Sequence, residues 1–197
     1  MSKNDTVFRT ETFAERARIA GLLADLTPEQ WAAASLCDGW RIREVVAHIT
    51  MAYRYSAPRY LLGFALNGFN INRYMDKAAH ADTAKVGDRE LLQCLQDNIE
   101  HPWRPPGGGQ IGALSHDVIH SFDITEPFGL PPSPPERIRL VLTNAGKRNL
   151  EFFGADLHGK RLIADDVDLS IGVGPREIRT SAREMLLAVT GRMPVPE

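Results

Sequence analysis

Three histidines are the residues whose type and spacing are best suited to chemistry. His116 and His120 are four residues apart in a segment with helical periodicity, so their imidazoles project from one side of a predicted helix. Two histidines at this spacing can hold one divalent cation together. The same spacing is also found on solvated helix faces, and for an isolated pair that alternative is the more frequent one. The environment of the pair decides between these two interpretations.

His48 lies on another predicted helix, at the edge of its apolar stripe. It would supply a third nitrogen, although a histidine in such a position is more often a hydrogen-bonded core residue. Three neutral nitrogen ligands leave a divalent cation with its full charge and an open coordination position. A thiol or a water molecule at that position would lose its proton near neutral pH. The chemistry that these residues predict is activation of a nucleophile.

Three further residues are candidates for supporting roles. Asp123, one turn beyond His120, could orient a ligand imidazole by accepting its N–H, or it could be a surface charge. Arg192 follows the last predicted helix, where its charge complements the helix dipole, but its guanidinium could also grip a carboxylate. Cys37 precedes a helix whose N-terminus could lower the pKa of a thiol, and an unreactive buried cysteine is the alternative.

The composition excludes several classes of protein. The 197 residues include 23 Lys and Arg against 25 Asp and Glu, a net charge of -2 with no basic stripe, so we expect no nucleic-acid partner. No apolar run is long enough to cross a membrane, and the N-terminus lacks the apolar stretch of a signal peptide. Two cysteines are too few for a disulfide framework. These features predict a cytoplasmic protein that does not bind membranes.

Hydrophobic periodicity predicts a mainly α fold. Apolar residues recur at intervals of three and four residues, which predicts helices at 10–26, 27–34, 40–64, 88–101, 111–125 and 133–154. Capping boxes at Thr27 and Ser133 mark the starts of two of them. Pro58 is expected to kink the third predicted helix. Residues 67–84 show no clear period and are interpreted as a loop with at most one helical turn, whereas prolines and glycines make 102–109 a linker.

The periodicity changes after Gly159. Alternation over 167–173 predicts a half-buried strand, with 161–164 as its pairing partner, and Ser181 caps a last helix that ends at Gly191. The sequence thus predicts a helical bundle over residues 1–155 and a small C-terminal α/β domain over 156–197.

Residues 36–49, LCDGWRIREVVAHI, resemble a signature of the mycothiol-dependent maleylpyruvate isomerase family, a branch of the DinB-like metal-binding bundles. Residues 116–123, HDVIHSFD, resemble the second metal segment of that family, and residues 187–192, LAVTGR, resemble its closing motif. The resemblance implies a DinB-like antiparallel four-helix bundle with a small C-terminal α/β appendage. It also implies mycothiol as the thiol cofactor.

The same resemblance implies roles for individual residues. His48, His116 and His120 occupy the positions of the metal ligands, for which zinc is the expected metal and nickel a further candidate in a purified sample. Arg192 occupies the position of a functional arginine, both catalytic and cofactor-binding. The isomerases proper are expected to carry glutamate where this chain has His116, whereas three histidines are common in the wider DinB-like group.

The leading hypothesis is a metal-dependent enzyme that uses mycothiol in isomerase or S-transferase chemistry on a small electrophilic substrate. Two alternatives remain. One is a non-catalytic metal-binding or thiol-binding protein of the stress response, in which His116 marks the loss of isomerase function. The other is a metal-assisted hydrolase that uses bound water. A small thiol and a small electrophile are the expected partners, and homodimerisation is left open.

Overall fold

The structure is a computed structural model that describes residues 2–144 and 156–196. Before the linker the helices are α1 (Lys3–Ala24), α2 (Pro28–Ala32), α3 (Ile42–Arg54), α4 (Ala57–Leu66), α5 (Ile71–Thr83) and α6 (Asp88–Asp97). After it come α7 (Gly109–Thr125), a 3-10 turn (Glu126–Phe128) and α8 (Pro135–Asn144). The chain then continues through strands β1 (Lys160–Ala164), β2 (Ser170–Ile171) and β3 (Arg176–Thr180) to helix α9 (Ala182–Val189). The prediction of a mainly α fold with a small α/β part is confirmed.

The chain forms two compact units. The first unit comprises Met1–Glu15 and Arg104–Glu197, and the second unit comprises Arg16–Trp103. The predicted domain boundary at residue 155 adjoins 145–155, which lie outside the described residues, so that boundary stays a prediction. The predicted end of the fifth helix, through Ala145, Leu150 and Phe153 to Gly154, lies outside them as well.

In the second unit, α3 packs against α2, α5 and α6. Its apolar stripe is fully buried, as are two leucines of α6; these residues are Ile42, Val45, Val46, Ile49, Leu91 and Leu95. The predicted capping box at Thr27 is present, with Pro28 in the first turn of α2, where a missing N–H costs nothing. Because this stripe is buried, the rotation of α3 about its own axis is fixed.

The predicted long helix over 40–64 is wrong in one respect, because it is two helices. The backbone of Tyr55 is extended, and the Ser56 side chain caps α4 by accepting from the N–H of Arg59. Pro58 lies in the first turn of α4, where backbone N–H groups have no acceptor within the helix, so the N–H that proline lacks is not missed. The proline thus starts a new helix instead of kinking a continuous one.

The predicted loop over 67–84 is also wrong, because most of it is α5. The Asn70 side chain caps this helix by accepting from the N–H of Arg73 at 3.0 Å. Two polar residues on its buried face obscure the hydrophobic period: Asp82 accepts from the Tyr55 hydroxyl at 2.9 Å, and Thr83 donates to Glu44 at 2.7 Å. Polar side chains that are buried through hydrogen bonds look like surface residues to a hydrophobicity pattern.

Smaller differences concern helix ends. Helix α1 begins at Lys3, seven residues before the predicted start at residue 10. Helix α6 is capped at Gly87, and Asp88, the predicted cap, is its first helical residue. The Asp88 carboxylate instead lies 2.9 Å from the Arg43 guanidinium. That ion pair gives the carboxylate a partner other than the backbone N–H groups of its own helix.

In the first unit, α7 and α9 both contact α8, and α9 also contacts β1. The sheet has the order β2-β1-β3. The predicted pairing of β1 with β2 is confirmed and antiparallel, with Leu162 opposite Ile171, although the predicted strand over 167–173 is reduced to two residues. Strand β3, which the sequence analysis missed, runs parallel to β1 and places Ile178 opposite Leu162. Its sequence, REIRT, has only one strongly apolar residue, so its alternation is weak.

The core of the first unit joins the helices and the sheet. Fully buried side chains come from α7, α8, β1 and α9; among them are Leu114, Phe122, Ile138, Leu162, Met185 and Leu186. Within the described residues, no helix combines the length and the apolar character that crossing a membrane requires.

Candidate metal centre

Helix α7 places His116 and His120 side by side. Their ring centroids are 4.7 Å apart, and the ring planes are inclined at 73°. The two side chains are 18% and 15% exposed, so neither lies on a fully solvated face. The opposite side of α7 carries the apolar stripe that the sequence predicts, which is completely buried and consists of Leu114, Val118 and Phe122.

A buried aspartate orients each of these two rings. Nδ1 of His116 lies 2.9 Å from Oδ1 of Asp117, and Nδ1 of His120 lies 2.9 Å from Oδ2 of Asp123. A carboxylate can only accept, so Nδ1 carries the proton and the lone pair of each neutral ring is on Nε2. This is the tautomer in which a histidine binds a metal through Nε2.

The electrostatics of the Asp123 pair favour that arrangement. Burial alone raises the pKa of Asp123, but hydrogen bonds from His120 and Arg192 outweigh it and lower the pKa below its ordinary value. Burial lowers the pKa of His120, and its neighbour His116 acts in the same direction, while Asp123 partly opposes them. The result is an ionised acceptor beside a neutral imidazole, which is the form that ligates metals.

Arg192 reaches the same carboxylate from the end of α9. Its Nε donates to Oδ1 of Asp123 at 2.6 Å, and its Nη2 donates to Oδ2 at 2.7 Å. A third donor, Nη1, bonds the carbonyl oxygen of Thr190 at 3.0 Å. The Arg192 side chain is 12% exposed. The structure therefore brings Arg192, Asp123 and His120 into one hydrogen-bonded series.

The local sequence explains why Arg192 lies there. Helix α9 ends at Val189, and two residues later Gly191 has a positive φ; the N–H of Gly191 bonds the carbonyl of Ala188 at 3.2 Å. The next N–H, that of Arg192, turns back to the carbonyl of Leu187 at 2.8 Å. This pair of bonds is the Schellman motif, which requires a left-handed conformation that glycine adopts without strain. The helix end thereby fixes the starting point of the arginine side chain.

His48 lies on α3, three residues beyond the buried Val45, and is half-buried. Its ring centroid is 5.2 Å from that of Trp40, at an interplanar angle of 54°. The Trp40 indole N–H in turn donates to Asp76 at 2.9 Å, which anchors the aromatic ring against which His48 packs. Cys37 is half-buried in the turn before α3, where its backbone N–H donates to the Ser35 hydroxyl.

The three predicted ligands form a group that could hold a metal ion. His48, His116 and His120 each offer one ring nitrogen, and these nitrogens all lie within 4.8 Å of one another. Sequence reasoning found these residues and Asp123, but it missed Asp117. The signal for Asp117 was its position directly after a candidate ligand, in the pair His116-Asp117.

Comparisons with known proteins find one family-model match and one similar solved structure. The family model described as the mycothiol maleylpyruvate isomerase N-terminal domain matches residues 12–61. A crystal structure of a histidine-to-alanine mutant of the mycothiol-dependent maleylpyruvate isomerase is similar in fold, with a TM-score of 0.63 and 13% sequence identity. The similarity covers 98% of this chain and 93% of that one. A comparison with curated proteins finds no match. Residues 12–61 are thus similar to the N-terminal domain of the mycothiol-dependent maleylpyruvate isomerases, and the fold of the chain is similar to that of the solved isomerase.

Proposed function

We propose that this protein is a metal-dependent enzyme that uses mycothiol as a thiol cofactor, either to isomerise a small electrophilic substrate or to transfer the thiol to it as an S-transferase. The observation that carries the proposal is the group of three ring nitrogens within 4.8 Å of one another. The match to the isomerase N-terminal domain supports mycothiol as the thiol.

In this proposal His48, His116 and His120 hold one divalent cation. Imidazole nitrogen suits zinc and nickel, and zinc is the metal that we expect first. The residues present fit such an ion, because the hydrogen bonds of Asp117 and Asp123 to Nδ1 assign the lone pairs of two rings to Nε2. A bound cation of this kind lowers the pKa of a thiol or water molecule next to it.

The chain itself contributes orientation and a restricted solvent environment. Asp117 and Asp123 are almost completely buried, so water competes little for their hydrogen bonds to the histidines. The histidine side chains are less than one-fifth exposed on α7, which strengthens electrostatic interactions with any charged group that binds beside them. In this proposal Arg192 is the functional arginine. From the end of α9 it hydrogen-bonds Asp123, which is the partner of His120.

The histidine at position 116 distinguishes this donor set from one with a glutamate there. Three neutral ligands leave the full charge of the cation uncompensated, whereas a glutamate would cancel part of it. Greater residual charge acidifies a thiol more strongly, but it also binds the thiolate more tightly. The proposal therefore extends to S-transfer as well as isomerisation, and maleylpyruvate is one substrate among several to be tested.

The test is thiol-dependent turnover by metal-loaded protein. Mycothiol is combined with a panel of small electrophiles that includes maleylpyruvate, and substrate loss is measured for the wild type, for His48→Ala and for His158→Ala, an exposed histidine as control. We expect turnover that requires both thiol and metal, that His48→Ala abolishes and that His158→Ala retains. Bound metal without thiol-dependent turnover would favour the non-catalytic alternative, and turnover without thiol would favour the hydrolase.

A further inference from the structure

We infer that Arg192 acts as a positioning residue that holds Asp123, and through it His120, instead of gripping a carboxylate of the thiol or substrate. This inference rests on the proposed metal site. Oδ2 of Asp123 is shared, since it lies 2.9 Å from Nδ1 of His120 and 2.7 Å from Nη2 of Arg192. The other oxygen, Oδ1, accepts from Nε of Arg192 at 2.6 Å.

The donors of Arg192 are largely committed. A guanidinium carries five N–H donors, and the edge formed by Nε and Nη2 is one that matches a carboxylate in a bidentate manner. That edge is engaged by Asp123, and Nη1 donates to the carbonyl of Thr190. Only 12% of the side chain is exposed. A ligand carboxylate that used the same edge would have to displace the buried Asp123.

Bidentate binding also restricts the carboxylate in a way that a single bond does not. With both oxygens held, Asp123 cannot rotate about its Cβ–Cγ bond, so the direction of its bond to Nδ1 is fixed. The orientation of Nδ1 determines that of Nε2 on the opposite side of the His120 ring. Removal of the arginine would leave a completely buried carboxylate with one of its two partners missing, and the carboxylate would reorient.

The first unit contains a matched control for this geometry. Arg183 on α9 donates from Nε to Glu126 at 2.7 Å, and its Nη2 contacts the other oxygen of the same carboxylate. This pair also joins α9 to the residue that ends α7, but within the described part of the chain Glu126 contacts no histidine. Arg183 is more exposed than Arg192, at 42% of its side chain against 12%, so it matches the bidentate geometry of the Arg192 link but not its burial.

The experiment measures metal binding in the full chain. Zinc affinity is determined by competition with a chromophoric chelator, and the visible absorption of the Co²⁺-loaded protein reports ligand geometry. Arg192→Ala should weaken zinc binding by about tenfold or more and change the Co²⁺ spectrum, because loss of an outer partner of a ligand typically has that effect. Arg192→Lys should restore the affinity only in part, since an ammonium lacks the bidentate fork. Arg183→Ala should leave affinity and spectrum unchanged.

A double variant separates action through Asp123 from an independent effect. Asp123→Asn and Asp123→Asn/Arg192→Ala should bind zinc with similar affinity, because the arginine has no carboxylate left to position. A double variant whose loss of zinc affinity equals the product of the losses in the two single variants would overturn the inference. So would wild-type affinity and spectrum in Arg192→Ala together with a raised KM for mycothiol, which is the signature of a gripping arginine.

Two further outcomes keep the tests distinct. If Arg192→Ala does not fold, Arg192→Lys decides, and wild-type affinity and spectrum in that variant would contradict a bidentate requirement. A wild-type protein that binds no zinc or Co²⁺ would refute the proposed function itself, whereas normal binding that is insensitive to Arg192 refutes only the positioning role.

Discussion

His120 and Asp123 lie less than one helical turn apart on α7, and the ring nitrogen Nδ1 of the histidine is 2.9 Å from a carboxylate oxygen of the aspartate. Their separation of three residues brings both side chains to the same side of the helix. The aspartate is completely buried and its pKa is lowered by hydrogen bonds that outweigh the effect of burial, so it stays ionised and accepts a hydrogen bond from the imidazole N–H. A short helical segment therefore contains both a candidate ligand and the group that orients it.

Removal of a ligand should nearly abolish metal binding. His120→Ala deletes one of three nitrogens, and we expect zinc affinity to fall by more than about a hundredfold, because the remaining pair cannot complete the site. His158→Ala, an exposed position in the same unit, should bind zinc as the wild type does. Isothermal titration with zinc measures both. Equal affinity in the two variants would rule out His120 as a ligand.

Loss of the aspartate carboxylate beside His116 should weaken zinc binding less than loss of a ligand does, but by a measurable amount. Asp117→Asn exchanges the carboxylate that faces Nδ1 of His116 for an amide, and we expect zinc affinity to fall by about tenfold. Asp165→Asn, which alters an exposed ion pair with Arg179, is the control. Chelator competition provides the measurement. An Asp117→Asn affinity that matches that of Asp165→Asn would show that the first aspartate has no orienting role.

Glu44 should make the second unit sensitive to acid. Its buried carboxylate accepts from Nε and Nη2 of Arg41 and from the Thr83 hydroxyl. Burial raises the pKa of Glu44, but these bonds together lower it below the ordinary value of 4.5. A carboxyl with a lowered pKa in the folded state contributes stability above its unfolded pKa, and this stability is lost as the pH falls through the folded value.

For Glu44→Gln we therefore expect a free energy of unfolding that is lower by about 2 kcal/mol at neutral pH, since charged hydrogen bonds are lost. The difference from the wild type should shrink as the pH falls below 4.5. Urea denaturation across this range measures it, with the exposed Glu100→Gln as control. A difference that stays constant down to strongly acidic pH would mean that the charge of Glu44 does not contribute.

A glycine of α4 should be intolerant of any side chain. A Cβ at Gly63 would overlap the Tyr74 ring, at only 2.7 Å from its hydroxyl oxygen, so Gly63→Ala should destabilise the protein by about 1–3 kcal/mol. A Cβ at Gly21, a helical glycine of α1, would meet no atom within 4 Å, and Gly21→Ala should be neutral or stabilising. Thermal unfolding compares the two. Equal melting temperatures would show that α4 shifts away from Tyr74 at little cost.

The helices that the sequence predicts best are those with a clear apolar stripe at helical spacing. Helix α7 is such an element, and its period placed both histidines opposite the buried stripe of Leu114, Val118 and Phe122. Helix α5 was missed because Asp82 and Thr83 are buried by hydrogen bonding to residues distant in sequence, Tyr55 and Glu44. No local pattern contains that information.

The candidate site shows the same limit. The spacing of His116 and His120 predicted a chelating pair, and the resemblance to a known family strengthened the prediction that His48 is the third ligand. The connection of Arg192 to Asp123 spans 69 positions in the chain, and it depends on the turn at Gly191 and on the packing that brings the end of α9 to α7. Sequence reasoning could offer the arginine only as a gripping residue or a helix-end charge, because its partner is defined by tertiary structure.

The most direct test of the metal site is elemental analysis of protein purified without a histidine tag and reconstituted with zinc, beside the His48→Ala/His120→Ala double variant. The proposed site predicts about one equivalent of a divalent metal in the wild type and its loss in the variant. A wild-type protein that retains no metal after reconstitution, or a variant that retains as much as the wild type, would contradict the assignment of these histidines as ligands.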